Sequence, residues 1–492
     1  MVAKHRAQGR SPSQDIRPFR RCRSQHTFRK DGPAQIRFMS PPRVSRRVWS
    51  IGLVSGMGGM LVMLDATLAA LALIAVQADL NAPLEDAQWV VSSYLISMAV
   101  SLPTSTWFGN RFGHGRIWGA ALAVFIAASI GCAFAASLET LIAARIAQGL
   151  AAGILLPTGH AILIAGAQRD QIGRVLGVVG TLISLAAAIG PGIGGWLVDV
   201  ASWRWLFWIN VPLGAIAAVW AAKVMPGGVA QHGLKLPLGQ LFLIVTGLPL
   251  ALYGASEIAS RYPTGNGWLS IGGGAMLLML FIAVARTSKS SLLALELMRN
   301  PQFRASSLLA VGNSANLFGG LLLFPLYFHA KGMSHSQIGV MLLFMGAGTS
   351  CALYLAGHFV DRFGPRPVVL AGAAMLAVSA APFALVSVPS DIAAVFMFVR
   401  GIGLAWTTNP TTAAAYAAVD RKDIGGAATL VNIVQRVSGA LGAVAVVAII
   451  GWLDGGGGHG EVRAMGLMVV LPLLQAWWGT YLTGYRAMRE PG

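Results

Sequence analysis

The amino-acid sequence predicts an all-α integral membrane protein with fourteen transmembrane helices and both termini in the cytoplasm. Charged residues make up only 11% of the 492 residues, and hydrophobic residues make up 55%. A soluble globular chain carries roughly 25% charged residues, so this composition excludes a soluble enzyme, a disordered protein and a fibrous one. Apolar runs of about 20 residues, long enough to cross the hydrocarbon core of a bilayer, recur from residue 51 onward.

The first segment, residues 1–48, is predicted to be a basic, disordered cytoplasmic tail. Residues 1–50 contain thirteen Lys and Arg residues and two acids, which accounts for +11 of the formal net charge of +18. The segment has no helical apolar period, and no apolar run begins early enough for a secretory signal. Contact with anionic lipid headgroups is the favoured interpretation. The alternatives are a true start at Met39, just before the first apolar run, and binding of nucleic acid.

Fourteen apolar runs then follow in order along the chain. They lie at about 51–74, 89–109, 117–136, 139–164, 175–198, 204–223, 237–256, 267–285, 305–328, 337–360, 367–388, 391–416, 427–451 and 463–484. An even number of spans places both termini on one side of the membrane. If that side is cytoplasmic, sixteen Lys and Arg residues of the loops and C-terminal tail lie inside and four lie outside. This bias follows the positive-inside rule and sets the predicted orientation.

A repeated loop sequence divides the chain into two halves. The segment 106–116 matches the segment 357–367 at an offset of 251 residues, and each follows an even-numbered apolar run. Equivalent loops eight helices apart indicate two six-helix bundles with two extra helices between them. Such parallel halves, with a binding site at their interface, are typical of transporters. The predicted domains after the tail are an N-terminal bundle at 49–223, two linker helices and a cytoplasmic loop at 224–304, a C-terminal bundle at 305–485 and a cytoplasmic tail at 486–492.

Five short motifs occur in order along these helices. Three of them are Leu64-Asp65-Ala66-Thr67 in the first run, Arg145-Ile-Ala-Gln148-Gly149 in the fourth, and Gly190-Pro191-Gly-Ile-Gly194-Gly195 in the fifth. The segment 202–212 adds a tryptophan-rich motif. The repeated loop has an intact second copy, with Gly357, Asp361, Arg362, Gly364 and Arg366, and a degraded first copy, with Asn110, Arg111, Gly113 and Arg116. Over about residues 50–485, this combination resembles the fourteen-helix drug:proton antiporters of the major facilitator superfamily.

Asp65 is the predicted proton-coupling residue. It is the sole acid of the first apolar run, and a charge at this depth costs about 2.5–3.5 kcal/mol, so such residues usually face a partner or a pathway. A carboxyl group in a low dielectric can bind and release protons near neutral pH. Arg145 is the expected electrostatic partner, because a guanidinium stays charged when buried. The alternatives are a hydrogen-bonded structural Asp65 and an Arg145 that only joins helices.

The repeated loops are predicted to be gates, in keeping with the resemblance. Asp361 could cap the next helix and pair with Arg362 and Arg366, whereas Asn110 keeps only the capping ability. The first gate is therefore expected to be weaker, and the alternative is that both loops only anchor the chain on the positive side. In the fifth run, the glycines permit close helix packing and Pro191 favours a bend.

Other polar residues within the apolar runs are weaker candidates. Arg400 lies near the repeat position of Arg145, and Asn313, His160 and Arg436 are further polar groups of this kind. Glu257 is read as a solvated acid at a loop edge rather than a second coupling site. Hydrogen bonding between helices is as good an explanation as transport for most of these residues. Those predicted to line the pathway are Gln148, Asn316, Arg400 and Asn432.

The predicted function is proton-coupled export of amphipathic or cationic organic compounds across the inner membrane by alternating access. No ATP-binding or hydrolase motif is present in the sequence, and Cys22, Cys132 and Cys351 form no metal-binding pattern. We therefore expect no metal, no cofactor and no enzymatic activity. The expected partners are small organic substrates, protons and membrane lipid, with no nucleic acid, and the chain is expected to be a monomer. The alternatives are a dedicated exporter of one metabolite and a receptor or scaffold that does not transport.

Overall fold

A computed structural model describes most of the chain, and the regular secondary structure of the described part is all helix. The described residues are 45–166, 172–228, 236–259, 265–288, 293–386, 388–420, 423–453 and 460–482. Almost all of the predicted basic tail, including Met39, and the predicted C-terminal tail lie outside these ranges. Within them, twelve helices are long and apolar enough to cross a membrane, judged by length and composition.

The first helix, α1 (Arg46–Leu80), is longer than the predicted run at 51–74. It begins after Ser45, whose hydroxyl accepts a hydrogen bond from the Val48 amide and so satisfies one free donor of the first turn. Its extra turns bring Asp79 into the same helix as Asp65. A short helix, α2 (Leu84–Ala87), follows.

The second predicted span is two helices rather than one. These are α3 (Trp89–Ser101) and α4 (Thr104–Phe112), separated by Leu102 and Pro103. Proline has no amide hydrogen and clashes with the preceding turn, which accounts for the break. Neither piece is among the twelve spanning helices, and neither is α7 (Ile172–Val200), some of whose side chains lie outside the described part. The count of fourteen spans therefore stays a prediction.

The other helices of the N-terminal part are α5 (His114–Ala133), α6 (Leu138–Gly166), α8 (Trp205–Trp208) and α9 (Asn210–Val224). Helix α6 packs against α1, α3 and α5, and α1 also packs against α7 and α9. This arrangement surrounds the middle of α1 with polar positions of neighbouring helices.

Two helices and a short 3-10 turn connect the N-terminal part to the C-terminal part. Helices α10 (Leu238–Ala259) and α11 (Asn266–Thr287) form a hairpin, and α10 also contacts α3 and α16. Glu257 lies half-buried near the end of α10. The 3-10 turn covers Leu295–Arg299.

The C-terminal part consists of α12 (Pro301–Ala330), α13 (His335–Phe363), α14 (Pro365–Leu385), α15 (Ser390–Ala417), α16 (Ile424–Leu453) and α17 (Gly460–Gly479). Helix α13 packs on α15, α12 packs on α16 and α17, and α14 packs on α15 and α17. The N- and C-terminal parts contact each other most extensively where α7 packs against α13 and where α3 packs against α16. The predicted division into six, two and six helices stays a prediction, as does the orientation of the termini.

Candidate functional site

A buried ion pair lies in the middle of the N-terminal helices. The Arg145 guanidinium of α6 donates through Nη1 to Oδ2 of Asp65 in α1, and the two side chains are 0% and 1% exposed. Thus the acid and the arginine that the sequence singles out meet in space, from positions 80 residues apart. A buried charge pair is stable only when further hydrogen bonds satisfy its remaining polar atoms.

Three neutral side chains supply those hydrogen bonds. Asp65 Oδ1 accepts from Gln148 Nε2 at 2.8 Å and from Asn210 Nδ2 at 2.9 Å. The Ser129 hydroxyl accepts from Gln148 Nε2 at 2.7 Å. Gln148 Oε1 also accepts from Arg145 Nη1 at 2.6 Å, because a spacing of three residues puts both side chains on one face of α6. Helices α1, α6 and α9 therefore meet at one carboxylate, and α5 joins the network through the bond between Ser129 and Gln148.

A carbonyl and two aromatic rings also contact the guanidinium, whereas its Nη2 is buried without a hydrogen-bond partner among the described residues. Arg145 Nε donates to the Val90 carbonyl of α3 at 2.9 Å. Its Cζ lies 4.2 Å from the centre of the Tyr94 ring and 5.6 Å from that of Phe207. Ring faces attract a desolvated cation, so part of the charge of Arg145 is compensated without Asp65. Tyr94 is itself fixed, since its hydroxyl donates to the Val62 carbonyl at 3.1 Å.

Sequence reasoning missed three members of this network, namely Ser129, Asn210 and Tyr94. Asn210 belongs to the tryptophan-rich motif at 202–212, and its position there was a usable signal. Ser129 and Tyr94 have no sequence signal, because a serine or tyrosine in an apolar run is common.

A second buried arginine lies in the C-terminal part without a carboxylate. Arg400 of α15 is 1% exposed and donates through Nη2 to Asn316 Oδ1 of α12. Its Nη2 also lies 3.4 Å from Met468 Sδ, and its Cζ lies 4.6 Å from the centre of the Phe324 ring. Asn316 is 251 residues after Asp65, the offset of the loop repeat, so an amide stands where the N-terminal half has an acid.

Packing assigns Arg400 to the repeat position of Gln148 rather than that of Arg145. A Cβ on Gly149, the residue after Gln148, would lie 2.4 Å from the carbonyl oxygen of Tyr94. A Cβ on Gly401, the residue after Arg400, would lie 1.9 Å from that of Met345, which is 251 residues after Tyr94. The two helices thus approach their neighbours at equivalent glycines. This corrects the approximate alignment of Arg400 with Arg145.

A cavity of about 1310 Å³ lies between the N- and C-terminal parts. It extends from the α4 segment that carries Asn110 to Arg436 in the interior of α16. Asn432, one turn before Arg436, also lines it, and so does His160 of α6. Of the residues predicted to line the pathway, Asn432 lines this cavity, whereas Gln148, Asn316 and Arg400 are buried between helices away from it. Asn313 is likewise a link between helices, bonded to Thr407 and Gln475.

At the opposite end, α7 and α13 are in very close contact. A Cβ on Gly195 would lie 2.2 Å from the His335 carbonyl oxygen, and a Cβ on Gly339 would lie 2.6 Å from the Pro191 carbonyl oxygen. Only glycine fits such an approach. Beside this contact, Asp199 of α7 accepts from the Ser336 amide at 2.6 Å and contacts His335 Nδ1 at 2.9 Å.

The other face of the same α7 segment packs on α1 next to Asp65. A Cβ on Gly190 would lie 2.8 Å from Thr67 Oγ1, and one on Gly194 would lie 2.5 Å from Leu68 Cδ2. The four predicted motif positions of the fifth run therefore touch both the helix that carries Asp65 and the C-terminal part. Helix α7 connects the buried acid to the interface between the halves.

The two loop motifs share one backbone geometry. Helix α4 ends before Gly113 with φ of 95°, and α13 ends before Gly364 with φ of 84°, again 251 residues apart. Positive φ values of this kind favour glycine. Asn110 does not cap α5 as expected; its Oδ1 lies 3.2 Å from His114 Nε2, and Gly113 is the residue before the helix. The side chain of Asp361 lies outside the described part, so its pairing with Arg362 and Arg366 stays a prediction.

The remaining arginines of these loops differ in exposure. Arg116, Arg362 and Arg366 are exposed, whereas Arg111 is half-buried and interacts with its surroundings. The Arg362 guanidinium lies 5.3 Å from the centre of the Phe363 ring. The position Gly357 falls within α13.

Sequence comparison identifies relatives over most of the chain. A profile of the Major Facilitator Superfamily matches residues 56–443. The chain is 28% identical over 458 residues to the Multidrug resistance protein B homolog of Mycobacterium tuberculosis (strain ATCC 25618 / H37Rv), an alignment covering 90% of this chain and 84% of that protein. It is also 28% identical over 436 residues to the Tetracenomycin C resistance and export protein of Streptomyces glaucescens, covering 85% and 79% of the two chains.

Structure comparison finds the same arrangement of helices in solved transporters. The D-xylose-proton symporter matches with a TM-score of 0.62 and 14% identity, covering 87% of this chain and 97% of that one. The peptide transporter POT in complex with alafosfalin matches with a TM-score of 0.65 and 14% identity, covering 88% and 96%. At such identities the likeness shows the fold alone.

Proposed function

The chain belongs to the major facilitator superfamily and is a multi-pass membrane transporter, and we propose that it exports small amphipathic organic compounds in exchange for protons. The proposed location is the inner membrane, with the large cavity facing the cytoplasm. The observation that carries the proposal is the buried Asp65–Arg145 pair, whose carboxylate is bonded to side chains of α6 and α9 and is the group that we propose binds the exchanged proton.

Proton binding at Asp65 changes the forces within the network. When a proton adds to the carboxylate, an O–H bond forms and the ion pair with Arg145 ends. The guanidinium then keeps the Val90 carbonyl, the Gln148 oxygen and the Tyr94 ring as partners. Asp65 also becomes a hydrogen-bond donor, so the acceptor role it has toward Gln148 and Asn210 weakens. The same side chains thus have two arrangements, and the proton selects between them.

Helix α7 is the proposed route from this site to the movement of the halves. It packs on α1 at Thr67 and Leu68, within one turn of Asp65, and on α13 at Gly339. A shift of α1 that follows protonation therefore reaches the contact that closes one end of the interface. Opening of that end while the cavity closes at the other end is the alternating-access cycle proposed here.

The names of the relatives support export of toxic compounds. One is a multidrug resistance protein homolog and another is a resistance and export protein for tetracenomycin C. We extend export to this chain on the strength of the shared alignment length and the network described above. A susceptibility panel on a host that lacks its own pumps would measure how broad the cargo range is and so test the alternative of a dedicated metabolite exporter.

Energised inverted membrane vesicles test the proposal directly. Amphipathic antimicrobials, tetracenomycin C among them, should enter vesicles that contain the parent chain and release protons from the interior. Asp65→Asn at equal abundance should abolish both signals. The matched control is Asp79→Asn, on the same helix, which removes a half-exposed acid whose pair with Arg204 is worth about 0–1 kcal/mol. Accumulation against a gradient by Asp65→Asn would contradict the proposal.

A further inference from the structure

The cavity contains a membrane-depth cation that the proton site does not use. Arg436 follows the start of α16 at Ile424 by twelve residues, which is roughly 18 Å along the helix. It therefore lies deep in the span rather than at the cytoplasmic edge. Charged residues at this depth are rare and usually belong to a substrate or ion pathway.

Arg436 differs from the other two membrane-depth arginines of the described chain. Arg145 has Asp65 as a partner, and Arg400 is bonded to Asn316 and closed off from the cavity. Arg436 lines the cavity and takes part in none of the ion pairs found among the described residues. Its Nε is buried without a hydrogen-bond partner there, as are Arg145 Nη2 and Arg400 Nε and Nη1, so its place in the cavity wall is what distinguishes Arg436. Its Cζ lies 5.9 Å from the centre of the buried Phe318 ring, which supports the stem of the side chain.

Two of the described residues that line the cavity are acids, and neither forms an ion pair with Arg436. Asp423 comes thirteen residues earlier, just before the first turn of α16, and Glu296 lies in the 3-10 turn between α11 and α12. Positive charge prevails among the described lining residues, since four arginines accompany these two acids: Arg286, Arg299, Arg304 and Arg436. Apolar side chains of the N-terminal part, among them Leu156 and Ile183, line the same cavity. A cationic compound would meet in this cavity a guanidinium that forms no ion pair among the described residues.

We propose that Arg436 binds the anionic group, a carboxylate or a similar oxyanion, of an amphipathic organic cargo whose apolar body lies against the N-terminal helices. This inference rests on the proposed function, because it names the cargo that the exporter carries. A guanidinium in an apolar cavity pairs strongly and specifically with a carboxylate. The sequence alone predicts amphipathic or cationic cargo, and the cavity favours amphipathic cargo with a negative charge.

The test uses two probes with one naphthalene ring system, one carrying a carboxylate and the other a trimethylammonium group. Their binding to the purified full chain is measured by equilibrium dialysis in detergent at pH 7. The parent should bind the carboxylate at least about tenfold more tightly than the ammonium compound, and Arg436→Gln should lose that preference. Arg436→Lys should keep most of it. The control Arg463→Gln, which removes a cation bonded to the Leu453 carbonyl away from the cavity, should bind like the parent.

A charge-reversal variant distinguishes the loss of a binding site from misfolding. Arg436→Glu should bind the ammonium probe better than the parent does, a gain that an unfolded protein cannot produce. Equal binding of both probes by the parent, or an unchanged carboxylate affinity in Arg436→Gln, would overturn the inference. Displacement of the carboxylate by phosphatidylglycerol, and not by phosphatidylcholine, would assign the site to lipid and overturn it as well.

Failure of the inference can be told apart from failure of the proposed function. Proton-driven uptake of the ammonium probe alone would refute the anion site and leave proton-coupled export in place. Selective binding of the carboxylate without any proton-driven uptake would support the site and refute the export mechanism.

Discussion

Arg145 has no exposed surface, yet it carries a full charge whose partners come from several helices. The compensation is divided between Asp65, Gln148, the Val90 carbonyl and the Tyr94 ring. Breaking a buried pair by removing one partner usually costs about 3–5 kcal/mol, because the other charge is left without compensation. The two partners are not equivalent. Without Asp65, the Arg145 charge would still be stabilised by the Tyr94 ring, whereas without Arg145 the Asp65 charge would keep only neutral amide donors.

This asymmetry leads to a prediction for single and double variants. Arg145→Gln should destabilise the purified protein by about 3–5 kcal/mol, and Asp65→Asn should cost less. The double variant Asp65→Asn/Arg145→Gln should recover part of the loss, because it leaves no buried charge. Thermal unfolding in one detergent, at one ionic strength, measures all three. A double variant that is as unstable as the sum of the two single variants would show that the pair has no direct coupling.

At the scale of elements, helix α7 packs against a different helix on each of two faces. One face places Gly190 and Gly194 against α1, and the other places Gly195 against the backbone of α13. A substitution on the second face forces two helices from different halves apart, whereas a substitution at an open position changes nothing. Gly180 lies in the same helix, and a Cβ there would have no atom within 4 Å.

Gly195→Ala and Gly180→Ala are therefore a matched pair. Gly195→Ala should destabilise the described conformation by about 1–3 kcal/mol, the usual range for overpacking, and slow proton-driven uptake. Gly180→Ala should be neutral or slightly stabilising, since alanine favours a helix over glycine. Uptake rates at matched abundance, with unfolding temperatures of the purified proteins, give the comparison. If Gly195→Ala unfolds and transports like Gly180→Ala, the close contact has no role in the cycle.

For the whole molecule, the described conformation is closed at one end and has a cavity at the other. The closed end is held by the α7–α13 contact and by Asp199, which bonds to the Ser336 amide and the His335 ring. The cavity is bordered by the first loop motif and by the 3-10 turn between α11 and α12. Alternating access requires this relationship to reverse once in every cycle.

A cross-link at the closed end should stop that reversal. In the double variant Asp199→Cys/Ser336→Cys, oxidation should join α7 to α13, abolish proton-driven uptake, and leave cargo binding from the cavity side intact. A reductant should restore uptake. The single-cysteine variants, treated with the same oxidant, control for oxidation of the native thiols, of which Cys351 is exposed and Cys132 is buried. Undiminished uptake by the fully cross-linked protein would contradict alternating access through this end.

The sequence by itself determined the membrane class, most of the helix positions and the superfamily, because apolar length and short motifs are local properties of the chain. It also selected Asp65, the lone charge of its apolar run, and Arg145, the expected electrostatic partner of that acid. It was wrong about the continuity of the second helix, where Pro103 breaks the hydrogen bonding, and about capping by Asn110.

Only the tertiary structure decided which polar groups share a site. Asn210 donates to Asp65 from a position 145 residues away, and Ser129 joins the same network through Gln148 and Asn210, and nothing in their local sequence records these contacts. Arg400 is buried beside Asn316, whereas Arg436 lines the cavity. The two arginines lie in similar apolar runs, so the sequence alone does not predict this difference. Burial, pairing and access depend on how the helices pack against one another, and that packing is a property of the whole chain.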